Sequence, residues 1–205
     1  MLQINNELRK IMPRNDDLEF FLNELKISIF KRKPDEKIRS ATGLVYERLK
    51  NIGAYKGALS SHEVPVTAWL DKAIKTAKSG PVGRLAEALE VLTPKLSWQT
   101  RSDRHSNDPN WLKSHANAVI VGDMGLEYRT DIRIGVSLLA PNTVYPNHQH
   151  PPEEVYIALS DGCWRQNNGE WQSPGPGGLI YNRPNIIHAM KSSNDPLFAI
   201  WMLPL

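Results

Sequence analysis

Cysteine is almost missing from this chain. Among 205 residues there is one, Cys163, so an internal disulfide framework and a four-thiolate zinc site are both excluded. Long apolar runs are missing too. No stretch approaches the roughly eighteen apolar residues that a bilayer-spanning helix needs, and the opening MLQINNELRKIM lacks the continuous apolar centre of a secretory signal. A soluble, cytoplasmic protein without membrane contact is expected. Charge excess is small. The formal net charge is +3, with 17 Lys/Arg against 12 Asp/Glu in residues 1–95 and 8 against 10 in residues 96–205. No dense basic stripe with interleaved aromatics accompanies it, so the excess reads as solvated helix surface and nucleic acid is not expected as a partner. With 40% hydrophobic residues, the chain can bury one sizeable core.

What is present divides into two halves. Residues 1–95 read as a helical layer. Asn15 or Asp16 is placed to cap a segment with apolar residues at Leu18, Phe21, Leu22, Leu25 and Ile29, the helical stripe. A second helix is expected from Pro34-Asp35, with Gly53 as its stop. A third follows Pro65 and ends at Gly80-Pro81, and a short fourth runs to Pro94. Residues 96–117 are polar and poorly periodic and read as a connecting segment. From 118 to 205 the period changes to two. DIRIGVSLL and VYIAL read as strands, Asn168-Gly169 marks a hairpin, and GGLIYN, NIIHAM and PLFAIWML complete a set of short strands between Pro/Gly turns. The expected fold class is α+β, a helical N-terminal region before a small β-barrel or jelly roll, the whole forming one compact unit. The helices would pack on the barrel or form a dimer surface; a homodimer is compatible with this.

Chemistry concentrates in YPNHQHPPEEVYIAL, residues 145–159. His148 and His150 are two apart, which in extended chain puts them on one face. Glu154 follows after Pro151-Pro152 re-aim the chain, and His188 lies in the later strand NIIHAM. Three imidazoles and a carboxylate suit a divalent transition metal with positions left for water or substrate; Zn, Fe, Mn, Co and Ni all fit. By parity Glu154, Tyr156 and Ala158 share one strand face, and Val155, Ile157 and Leu159 the other. Glu153 reads as bystander charge. Each feature alone has a plainer explanation: a loop HxH, a satisfied core histidine, a packed tyrosine. Their joint occurrence is what points to a site.

The constellation resembles the cupin superfamily, whose motifs run G-x5-H-x-H-x3,4-E-x6-G and G-x5-P-x-G-x2-H-x3-N. His148, His150 and Glu154 match the ligands of the first; Gly178, Pro184 and His188 match the second. Asn142 stands where the first glycine belongs, Gly162 comes one residue late, Ile186 replaces the glycine after Pro184, and His188 comes one residue early. These departures concern turns, not ligands. A closer resemblance is to the cupin-type dimethylsulfoniopropionate (DMSP) lyases of the DddQ group. It rests on Tyr145, His148, His150, Glu154, Tyr156 and His188-Ala189-Met190, and on a chain of about this length with a helical N-terminal part before the cupin.

That resemblance implies a carbon–sulfur lyase that cleaves DMSP to acrylate and dimethyl sulfide. This is a β-elimination: the α-proton leaves and a neutral sulfide is expelled. The metal would bind the substrate carboxylate and offset its growing charge. Tyr156 is the first choice for the base, since a nearby cation lowers a phenol from its usual pKa near 10. Tyr145 is the second, or orients the carboxylate or Tyr156. Trp164, Trp171, Tyr181 and Trp201 are candidate walls for the sulfonium, as aromatic surrounds suit onium ions. Two other readings stay open on residues alone: another metal-cupin enzyme, such as a dioxygenase or isomerase, and a non-catalytic small-molecule sensor.

Overall fold

The computed structural model describes residues 13–60, 64–103 and 109–205. The opening MLQINNELRKIM and residues 104–108 of the expected connecting segment lie outside the described residues.

The helices form where their caps are. Asn15 accepts the Leu18 N–H and starts α1 (Asp16–Lys31), and Asp35 accepts the Ile38 N–H and starts α2 (Glu36–Arg48). A side-chain acceptor at these positions satisfies an amide that the helix leaves orphaned. A single turn of 3-10 helix opened by Pro65 leads into α3 (Leu70–Lys78), and α4 (Gly83–Leu92) stops just before Pro94. Four helices stand where the apolar stripes put them. Gly53 differs. α2 ends at Arg48, capped by Leu49, and Gly53 lies beyond it, pressed against the Tyr128 carbonyl so closely that a Cβ would collide with it. The glycine serves a tertiary approach rather than a helix stop.

The strands are β1 (Trp98–Gln99), β2 (His115–Val121), β3 (Ile132–Leu139), β4 (Val144–His148), β5 (Glu154–Ala158), β6 (Cys163–Gln166), β7 (Leu179–Asn182), β8 (His188–Lys191) and β9 (Leu197–Pro204), with one short helical turn, α5 (Trp111–Ser114), before β2. Among the described residues they form a six-stranded sheet in the order β1-β2-β3-β9-β5-β7 and a three-stranded sheet in the order β4-β8-β6. The sheets face each other as an open jelly roll, with helices outside the larger one; they do not close into a barrel. The segment read as connecting therefore carries β1, α5 and the start of β2, and the larger sheet begins inside it.

Strand alternation sorts the larger sheet into two faces. Ile132, Ile134, Val136 and Leu138 of β3, Val155 and Ile157 of β5, and Phe198, Ile200 and Met202 of β9 join the helix residues Phe21, Leu25, Ala41, Leu85 and Leu89 in one buried cluster. The opposite face carries Tyr156, Ala158, Leu197, Ala199, Trp201 and Leu203, which meet Tyr145, Trp164 and Met190 from the smaller sheet. The parity assigned to β5 holds residue by residue. A buried ionic knot ties the helices to the sheet. Glu127, 1% exposed, accepts from Arg14 Nε at 2.6 Å and from the Gly53 N–H at 2.9 Å, while Arg14 and Arg129 also hold the carbonyls of Leu49 and Arg48. Among the described residues no helix is long and apolar enough to cross a membrane.

Candidate metal centre and its cavity

Between the sheets lies a cavity of about 530 Å³. The residues singled out at one end of it come from three strands and the loop after β4. β4 delivers His148, the turn through Pro151-Pro152 delivers His150, β5 delivers Glu154, and β8 delivers His188. Asn142, in the turn before β4, has φ +56°. It takes up the left-handed backbone that the motif's glycine would supply, and asparagine is one of the few side chains that tolerates it.

Donor atoms of His150, Glu154 and His188 lie within 4.8 Å of one another. His150 Nε2 is 3.4 Å and His188 Nε2 3.3 Å from Glu154 Oε2. His148 is the cross-strand partner of His188, with ring centroids 4.0 Å apart; it adjoins the three-residue group but is not part of it. Of the four candidate ligands, the structure thus draws three into one donor set and lays the fourth imidazole against them.

The donor chemistry fits a metal. Nδ1 of His148, His150 and His188 faces the carbonyl of Pro146, Pro152 and Ile186 at 3.0, 2.8 and 2.9 Å. A carbonyl only accepts, so each Nδ1 carries the hydrogen and each Nε2 is left with a lone pair. Backbone clamps of this kind fix the tautomer and the ring orientation of metal-ligating histidines. Asn182 donates to Glu154 Oε2 at 3.0 Å and fixes the carboxylate. Lone pairs of His150 and His188 thus converge on a carboxylate oxygen, an arrangement that calls for a cation between them. Burial alone would raise the Glu154 carboxyl. When His150 and His188 are protonated on Nε2 as well, their hydrogen bonds and charge outweigh that and hold it well below the usual carboxylate range.

The two tyrosines approach from opposite sheets. Tyr156, 3% exposed, lies on β5 on the same face as Glu154, and Tyr145, also 3% exposed, on β4. Both line the cavity, as do His148, His150, Glu154 and Trp201. Tyr145 packs edge-on against Trp111, with centroids 4.9 Å apart, and lies 4.7 Å from the His148 ring. Trp201 lies over Gly135, where any Cβ would collide with its ring.

The other three aromatic candidates are placed elsewhere. Tyr181 is opposite Val155 on β7, so it faces the helix side of the sheet. There its hydroxyl donates to Glu153 Oε2 at 2.7 Å, and that bond raises the phenol to about 12. Trp171 lies between Arg165 and Lys191, each 4.6 Å from its ring. Trp164 packs between the sheets, 6.1 Å from Tyr156, without lining the cavity.

Several lining residues escaped the sequence reading. Gln99, Arg101 and Asn117 come from the supposed connecting segment, and Arg133 and Ser137 from the cavity face of β3. Arg101 is clamped by its backbone. Its N–H donates to His115 Nε2 at 2.7 Å and its carbonyl accepts from Trp111 Nε1 at 2.9 Å. On β3, Arg133 and Ser137 alternate with the apolar core residues, the pattern of a half-buried strand with one solvated face. Because both faces of the central strands are covered, alternation there marks a cavity wall instead.

Comparison with known proteins follows the same lines. The chain spans 93% of a chain of the DMSP lyase DddQ from Ruegeria pomeroyi DSS-3, covering 93% of this chain too, with TM-score 0.65 and 16% identity. It superposes on a chain from the crystal structures of the DMSP lyases RdDddP and RnDddQII with TM-score 0.60 and 19% identity, over 92% of both. These likenesses show a shared fold. In sequence it is 32% identical over 132 residues to the Cereibacter sphaeroides protein named "Putative dimethylsulfoniopropionate lyase DddL"; that match covers 63% of this chain and 54% of the relative. The chain thus spans about half the length of that curated relative. Residues 42–199 match the family model for dimethylsulfoniopropionate lyase, more than half of the chain, and the chain belongs to that family.

Proposed function

We propose that the protein cleaves DMSP to acrylate and dimethyl sulfide by β-elimination, with Tyr156 as the base. The supporting observation is the position of Tyr156. It is on the same face of β5 as Glu154, two residues on, buried, and on the wall of the cavity between the sheets. A phenolic oxygen there stands beside the site where a carboxylate substrate would bind, within a wall that also holds the apolar side chains Met190, Trp201 and Leu203. Such walls keep bulk water from competing for the base.

His150, Glu154 and His188, with His148 beside them, would hold a divalent transition metal, which when bound supplies positive charge for the substrate carboxylate. The chain's own groups do the rest. Tyr156, in its phenolate form, accepts the α-proton on Oη and becomes the phenol. The released electron pair forms the C2–C3 double bond, the C3–S bond breaks, and dimethyl sulfide departs with the C3–S bonding pair. Tyr145, from the facing sheet, holds the carboxylate end. The Trp201 indole gives the sulfonium an aromatic face, a contact worth about 1 kcal/mol or more once water is excluded.

Tyr156→Phe tests the reading. It removes the proton acceptor and leaves the donor set intact. Dimethyl sulfide release, measured in headspace gas, should fall at least about a hundredfold, the scale of a lost general base, while metal content by elemental analysis stays at the wild-type level. Near wild-type release from that variant would remove Tyr156 as the base.

A further inference from the structure

A row of hydrogen bonds runs along the cavity wall and ends at Tyr145. Asn117 on β2 and Ser137 on β3 are direct cross-strand partners, and Trp201 on β9 sits opposite Gly135, two residues before Ser137. All three line the cavity, and Ser137 is buried. Donor chemistry gives the row its direction. An indole N–H can only donate, so Trp201 Nε1 donates to Ser137 Oγ, at 3.0 Å. The serine hydroxyl in turn donates to Asn117 Oδ1, at 2.5 Å. That orients the amide. Its carbonyl is turned to Ser137 and its NH2 to Tyr145, with Nδ2 3.5 Å from the phenol oxygen. A phenol oxygen that faces an N–H donor does not spend its own proton on that neighbour. The rings of Trp111 and His148 pack beside Tyr145, and the open side of its hydroxyl is the cavity.

We propose that Asn117 is a positioning residue: oriented by Ser137 and Trp201, it keeps the Tyr145 hydroxyl as a hydrogen-bond donor toward the carboxylate of the bound substrate. This deepens the lyase reading, on which it rests for the identity of the substrate, and assigns Tyr145 to carboxylate recognition rather than to the base step. Both hydroxyl-bearing partners in the row need the asparagine side chain as a two-ended group, donor at one end and acceptor at the other. Alanine supplies neither end.

The test uses propionate, a carboxylate that cannot eliminate, titrated calorimetrically into the metal-loaded protein. Asn117→Ala and Tyr145→Phe should each weaken propionate about tenfold, the scale of one hydrogen bond to a charged acceptor. The double variant should be no weaker than about twofold beyond Tyr145→Phe alone, because the two residues act through one contact. Ser137→Ala, which breaks the row at its centre and leaves Asn117 in place, should lose about threefold. With DMSP, Asn117→Ala should raise KM by about the same factor as the propionate Kd and leave kcat within about twofold, the signature of lost ground-state binding. If Asn117→Ala costs the same tenfold in the Tyr145→Phe background, or if wild-type protein does not bind propionate, the inference is overturned. Intact coupling in propionate binding without dimethyl sulfide from DMSP would overturn the lyase reading and leave this one standing.

Discussion

Acidification should loosen the cavity rim through one buried histidine. His115 is fully buried, and its ring stacks on Trp111 with centroids 3.4 Å apart. Its Nε2 accepts the Arg101 N–H at 2.7 Å while Nδ1 meets the Trp111 carbonyl. The neutral ring satisfies both contacts. An imidazolium would set a second N–H against the Arg101 N–H. Burial is the largest cause, and the imidazole is pushed down to about 4. A base whose folded pKa lies below its unfolded value binds fewer protons when folded, so stability falls as pH drops from about 6.5 toward about 4. Moving the group between those values is worth roughly 3 kcal/mol at 1.36 kcal/mol per pH unit. The indole face returns about 1 kcal/mol to the charged ring, leaving about 2 kcal/mol. The assay is urea unfolding of wild type and His115→Gln at steps from pH 7 to pH 4.5. Glutamine can accept from Arg101 and donate to Trp111, so it keeps the contacts without the titration. The wild type should lose about 2 kcal/mol more than the variant over that range. Parallel curves would refute the placement of this histidine's charge, and with it the argument that Arg101 is held at the rim by a neutral ring.

Other perturbations reach other parts of the molecule. Gly135→Ala should displace Trp201, since the new methyl would lie 2.5 Å from the Ala118 carbonyl oxygen and inside the indole; an overpacking cost of about 2 kcal/mol should lower Tm by about 4–8 °C, and an unchanged melting curve would show that the ring does not lie over that glycine. Glu127→Ala should cost about 3–5 kcal/mol in urea unfolding, because Arg14 and Arg129 would stay buried without their shared partner; a loss under about 1 kcal/mol would contradict the knot. His188→Ala should abolish metal binding measured by elemental analysis, and a fully metallated variant would remove His188 from the donor set.

Much of this architecture was legible in the sequence, and the parts that were not share a physical cause. Asn15 and Asp35 announce their helices because capping is local chemistry, settled within three residues. The strand faces of β5 and β9 follow from parity, which needs no knowledge of partners. Gly53 was misread because its neighbour is Tyr128, far away in sequence. Residues 96–117 looked like a connection because β1 has only two residues and because His115, buried, and Asn117, half-buried, are polar groups that imitate a solvated loop in any hydropathy pattern. The histidine cluster was visible through its spacing. The backbone carbonyls that set its tautomers, and Asn182 behind Glu154, were not, since only the folded chain brings them there. Tyr181 could have been removed from the aromatic wall had the β5–β7 register been known: opposite Val155, it must face the helices.

The most direct measurement follows a label at the carbon that loses the proton. DMSP deuterated at both α-positions is incubated with the metal-loaded protein, and the products are identified by mass. Proton removal by Tyr156 followed by loss of sulfide should give dimethyl sulfide and acrylate in equal amounts, the acrylate carrying one deuterium, with both products lost in Tyr156→Phe. Three-hydroxypropionate retaining both deuteria would mean that water displaces the sulfide without touching the α-carbon, and would contradict the elimination.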